Sequence, residues 1–172
     1  MHPLNKVPHL TFHKETRMKR LLTVVALLCL CAFPVLAKSG EATFSASLWN
    51  PNEGDTTWSA TGEYLFPLGP LVVGPSISMF DLGPVDGGSA GVAGEFNLTG
   101  KAGLFIGGAA HKLTGDAADF ADYTYEARAG LKLGTGKWFA KLYASQVWSK
   151  AADGAVTDPD GTSFQAGIGA RF

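Results

Sequence analysis

From Glu41 onward, apolar and polar residues alternate in runs of mostly 10 to 13 residues, separated by clusters of Gly, Pro, Asn and Asp. A period of two sends successive side chains to opposite faces of a strand. Eight strands are predicted, at 41–50, 56–66, 71–83, 89–99, 102–114, 123–134, 138–150 and 162–172. The sixth is the clearest. Tyr123, Tyr125, Ala127, Ala129, Leu131 and Leu133 fall on one face, and Thr124, Glu126, Arg128, Gly130, Lys132 and Gly134 on the other. The first, second, fourth and eighth repeat the pattern, with apolar faces such as Phe44–Ala46–Leu48 and Phe164–Ala166–Ile168–Ala170–Phe172. In the fifth strand, Leu104 and Ile106 compete with Phe105 for the apolar side, which leaves its parity and that of His111 open. Pro75 removes a ladder donor from the third strand and predicts a bulge there.

The connections alternate in length. The second, fourth and sixth are short, and the first, third, fifth and seventh are longer, up to the eleven residues of 151–161. Short turns at one end and longer loops at the other are the arrangement of a transmembrane up-and-down barrel, and an even strand number brings both termini to the short-turn end. The strands also exceed the usual five or six residues of soluble sheets.

The first 37 residues differ in kind. They hold Lys6, Lys14, Arg17, Lys19 and Arg20 against Glu15 alone, whereas residues 38–172 hold nine Lys/Arg against fourteen Asp/Glu. A basic "MKR" at 18–20, an apolar run at 21–37, and Val35 and Ala37 at a small-residue cleavage site read as an export signal. Residues 1–17 then read as an upstream extension with Met18 the better start, and 38–172 as the mature domain. Both cysteines, Cys29 and Cys31, lie inside the signal, and Leu28 and Leu30 before them argue against a lipoprotein anchor. The mature part therefore has no disulfide or thiolate metal site. An acidic chain without a basic run also argues against a nucleic-acid partner.

Three features place the apolar face outward. The polar faces are mostly Gly, Ser, Thr and Ala, too sparse in Lys and Glu for a water-facing surface. Aromatics gather towards strand ends: Trp58, Phe66, Tyr123, Trp138 and Trp148 form a candidate girdle. Trp138 and Trp148 share a parity ten residues apart, roughly 33 Å along a strand and roughly 25 Å along the axis of a tilted one, close to the height of an apolar bilayer band. Finally, Phe172 becomes intelligible as a ring at a membrane interface.

Over residues 41–172 the chain resembles the small eight-stranded outer-membrane barrels, the family of the OmpA transmembrane domain and OmpX. The most specific element is a C-terminal polar-x-Gly-x-x-apolar-x-aromatic segment, matched by Gln165, Gly167, Ala170 and Phe172. Pro75 and the small Ala170 depart from the usual pattern. The resemblance implies an all-β, eight-stranded antiparallel up-and-down transmembrane β-barrel in the outer membrane. Its implied partners are lipids, lipopolysaccharide and, during biogenesis, the barrel-assembly machinery, which in that family reads the C-terminal segment. A monomer is expected.

A barrel of eight strands has room only for its own side chains. The inward set on this parity includes Glu63, Glu95, Glu126, Arg128, Lys132, Lys141 and Arg171. Counting from the short turns places Glu63, Glu95, Lys132, Lys141 and Arg171 in the near half, where acids and bases can pair into a plug. The plug reads as structural ion pairs or, alternatively, as the gate of a narrow pore. The far half, lined by Gly, Ser and Thr, has space for water.

Catalysis has few candidates. Some small barrels modify lipid A, which needs a His beside a Ser or carboxylate facing lipid. Only His111 remains in the mature chain, with no His-x-Ser arrangement. The acids Asp116, Asp119, Asp122, Asp153, Asp158 and Asp160 lie in loops, and "DPDG" at 158–161 lacks the spacing of a calcium loop. No cofactor, metal or catalytic residue is expected. The sequence favours a non-enzymatic role in envelope integrity or surface interaction. A passive pore is the alternative, with a lipid A-modifying enzyme or a soluble periplasmic lipid-binding barrel behind it.

Overall fold

In the computed structural model, residues 39–52, 56–81, 86–99, 102–119, 121–151 and 160–172 are described. The expected signal at 18–37, the extension before it and the tip of the longest loop lie outside them. Eight strands, β1 (Glu41–Pro51), β2 (Thr57–Leu68), β3 (Leu71–Asp81), β4 (Asp86–Asn97), β5 (Gly103–Gly115), β6 (Ala121–Leu133), β7 (Trp138–Ala151) and β8 (Gly161–Arg171), form one closed antiparallel barrel. Every strand pairs with its sequence neighbours, and β1 closes on β8 through eleven residue pairs, Glu41↔Arg171 to Pro51↔Gly161. Closure leaves no unpaired edge.

The register fixes the tilt. Paired residues lead from Phe105 through Gly130, Tyr143, Gln165, Ser47, Ser59, Phe80 and Gly87 to Gly115. One circuit thus climbs from Phe105 to Gly115 on the same strand. A displacement of that size tilts eight strands by about 40° to the axis.

The alternation read from the sequence becomes two surfaces. Phe164, Ile168, Trp138 and Leu48 are 61–66% exposed on the outer wall, whereas Glu95, Lys132 and Lys141 are 0–1% exposed inside. The parity of β5 is resolved: Leu104 and Ile106 face out, and Phe105, His111 and Leu113 are buried inward. Two apolar clusters brace the interior. Leu65, Val72 and Ala93 pack together beside β2–β4, and Leu113, Ala117 and Ala121 pack with Phe80 at the loop end.

Three local features differ from expectation. At Pro75 there is no bulge. The β2–β3 pairing stops at Glu63↔Ser76 and resumes in the same register at Phe66↔Val73, so the missing proline donor opens a gap without a slip. The third connection is short, because β3 and β4 continue pairing to Asp81↔Asp86, and β4 begins before residue 89. A register shift lies instead in β6, between Ala121 and Tyr123, next to a 3-10 turn at Asp116–Asp119. That turn carries Ala117 inward against Leu113 and Ala121.

Candidate functional site: a charged plug and the chamber above it

The inward positions of the barrel are divided by charge. Glu41, Glu63 and Glu95 project from β1, β2 and β4; Arg128 and Lys132 come from β6, Lys141 from β7 and Arg171 from β8. Ion pairs therefore run across the lumen, strapping one half of the wall to the other. Lys141 Nζ lies 2.7 Å from Glu63 Oε2 and also bonds Glu95 Oε1. Arg128 donates to Glu63 Oε1 at 2.5 Å and approaches Glu95 Oε1 at 2.9 Å. Lys132 bridges Glu41 at 2.5 Å and Glu95 at 3.0 Å. Arg171 Nε reaches Glu41 Oε1 at 3.0 Å and donates through NH1 to the carbonyls of Gly134 and Gly136, tying the last short turn to the network.

Glu95 is the hub, touched by three cations and fully buried. Moving a charge from water into such an interior costs several kcal/mol, roughly offset only where partners and hydrogen bonds are as dense as these. Aromatic rings complete the packing. Lys141 stands 5.3 Å from the Phe105 centroid and 5.0 Å from that of Tyr143; Arg171 stands 4.3 Å from that of Phe139. Inward glycines make room for these rings: a Cβ at Gly169 would lie 2.3 Å from the Phe139 ring, and one at Gly130 would lie 2.4 Å from Tyr143 Cβ.

Two members of this arrangement differ from the near-half grouping read from the chain. Arg128 was not in that near-half set, yet its long side chain reaches Glu63 and Glu95. Glu41 was not in the candidate set, although it shares the inward parity of Thr43, Ser45 and Ser47 and bridges two cations. Glu126 points inward without an ion pair among the described residues. The Gln165 amide donates to it at 3.5 Å. Counting Glu126, the described residues bring four acids and four Lys/Arg cations into the lumen.

Above the plug lies a chamber of about 120 Å³, with Glu126 and Gln165 among its lining residues. Serine and threonine hydroxyls line its wall, and Phe80, Leu113 and Ala117 line it towards the loop end. His111 Nε2 and Ser163 Oγ are buried here without a hydrogen-bond partner in the protein, so the chamber is polar enough to hold water. No group of three or more metal-ligating side chains occurs among the described residues.

The girdle candidates lie on the outer wall. Trp58, Tyr123 and Trp148 stand at the loop end, and Phe66, Trp138 and Phe172 at the other, all exposed. In the C-terminal segment, Gln165 and Gly167 face inward, Ala170 is buried opposite Ala42 and Trp138, and the Phe172 amide donates to the Gly40 carbonyl. Lys137 stands 5.8 Å from the Phe172 ring centroid.

No protein-family model matches this chain, and no curated protein matches it by sequence. Among solved structures, the crystal structure of Neisserial surface protein A (NspA) superposes with a TM-score of 0.54 at 10% identity, over 78% of this chain and 96% of that one. The fold is that of the small eight-stranded β-barrels. The backbone structure of the Yersinia pestis outer membrane protein Ail in a phospholipid bilayer nanodisc matches with a TM-score of 0.41 and 15% identity, over 77% of this chain and 99% of that one.

Proposed function

We propose that the protein is an integral outer-membrane β-barrel whose lumen is closed by the charged plug, and that it serves envelope integrity or surface interaction without catalysing a reaction. The observation that carries this reading is the inversion of the two surfaces. Large apolar side chains stand exposed all around the outer wall, while Glu41, Glu63, Glu95, Arg128, Lys132 and Lys141 are sealed inside. A soluble barrel would have them the other way round. The aromatic rows at both ends match the interfaces of a bilayer band. Likeness to Neisserial surface protein A supports the fold.

The plug and the apolar clusters oppose conduction, since the ion pairs cross the axis. An enzyme acting on lipid through His111 is disfavoured, because that side chain faces the lumen, 8% exposed, and not the lipid side. In this reading Gln165, Gly167, Ala170 and Phe172 serve assembly, and the protein works as a monomer.

The test is location and insertion. Fractionation of cells expressing the full chain is expected to place the protein in the outer membrane, and the purified protein is expected to show heat-shifted gel migration in phospholipid vesicles. Recovery in the soluble periplasmic fraction would overturn the proposal.

A further inference from the structure

The basic residues of residues 38–172 are distributed unevenly. Arg128, Lys132, Lys141 and Arg171 are held in the plug, and Lys137 lies in the short turn between β6 and β7. Among the described residues, only Lys112 and Lys150 supply basic side chains at the loop end, and the sequences of the connecting segments there include Glu53, Asp55, Asp116, Asp119, Asp153 and Asp158. Both lysines are exposed on the outer wall, where they are the only basic side chains among the described residues of the strands.

They are also neighbours. Lys112 of β5 pairs with Tyr123 of β6, and Tyr123 pairs with Lys150 of β7, so the three make one row across three adjacent strands. Paired residues point the same way, and two strand spacings put the lysine Cα atoms about 10 Å apart. Side chains of that length converge on one phosphate-sized anion. Trp148 and Tyr125 lie two residues from Lys150 and Tyr123, towards the middle of the wall and on the same face. The row thus sits at the headgroup edge of the apolar band, where a lysine can rest its stem on the wall and lift its ammonium. Neither lysine makes an ion pair among the described residues. Asp122, in the register shift beside Tyr123, is the acid nearest in sequence.

We infer that Lys112, Tyr123 and Lys150 form a binding site for the phosphate group of an outer-leaflet lipid. The inference rests on the outer-membrane reading above. Connecting segments of acidic sequence repel a phosphorylated membrane surface, and among the described residues this row holds the one basic part of the rim that lipid can approach from the side. Two ammonium groups supply the charge, and the tyrosine hydroxyl supplies a donor between them.

The experiment is native mass spectrometry of the purified protein in detergent, with a lipid A carrying two phosphates or its dephosphorylated form. Each basic side chain near an anionic surface shifts binding about fivefold. The phosphorylated lipid should therefore be retained over the other, and Lys112→Gln or Lys150→Gln should each reduce that preference about fivefold. The double variant should abolish it while keeping its heat-shifted migration, and added salt should weaken it. Equal retention of the two lipids, or a preference that survives the double variant, would overturn the site. So would displacement of the lipid by millimolar inorganic phosphate, which would identify a site for the free ion. Protein that inserts in vesicles yet shows no preference removes this inference alone; protein that does not insert removes the outer-membrane reading with it.

Discussion

Glu95→Gln tests the plug at its hub. The substitution keeps the side chain's shape and removes one charge. Arg128, Lys132 and Lys141 lose a shared carboxylate, and four cations then face Glu41 and Glu63. Breaking a buried ion pair from one side costs about 3–5 kcal/mol, because the charges left behind stay desolvated. Glu95 is wholly buried and has three partners, so the upper part of that range is expected. Lys141→Met removes one of the surplus cations while filling its volume beside Phe105 and Tyr143. Alone it should cost about 3 kcal/mol, because Glu63 and Glu95 both keep Arg128. Combined with Glu95→Gln it should cost less than the sum, with a coupling of at least about 1 kcal/mol. Urea unfolding in phosphatidylcholine vesicles, followed by tryptophan emission and gel migration, gives the free energies. A loss below about 1 kcal/mol for Glu95→Gln, or strict additivity of the pair, would refute the claim that these charges act as one desolvated network.

Other parts of the account can be tested separately. Leu142 lies between Trp138 and Trp148 on the outer wall, so Leu142→Arg should destabilise the bilayer-inserted barrel by about 2–4 kcal/mol in the same urea assay; little change would speak against a lipid-facing wall. A methyl at Gly167 would lie 2.5 Å from the Phe44 carbonyl oxygen and 2.7 Å from Ser45 Cβ. Gly167→Ala should therefore lower the stability of the refolded protein itself by about 1–3 kcal/mol. Phe172→Ser should instead leave refolding in vesicles within about 1 kcal/mol of the unaltered protein while reducing the amount assembled in cells. Equal losses in both settings would make Phe172 a packing residue only.

Alternation carried most of the architecture, because a closed barrel repeats one local rule eight times and each strand advertises its two faces independently. The rule weakened where both faces were apolar. In β5, Phe105 is as hydrophobic as Leu104 and Ile106, yet it faces inward because its ring packs edge-on to Tyr143 and lies beside Lys132 and Lys141. That role depends on residues from two other strands and leaves no trace in the local pattern. Glu41 escaped notice at the edge of its strand, before the alternation becomes evident. Arg128 shows the limit of counting from turns: levels in a tilted barrel shift from strand to strand, and a long side chain adds its own reach. Pro75 signalled a bulge locally, but β4 keeps its register with β3 through Pro75↔Val92, and the neighbouring pairs hold the strand in place.

The central claim is that the lumen is closed, and planar-bilayer conductance tests it most directly. The purified protein, shown to be folded by heat-shifted gel migration, is predicted to insert and remain electrically silent. Steady openings of the unaltered protein, changed in size by Glu95→Gln or Lys141→Met, would contradict the account and make the plug the gate of a narrow pore.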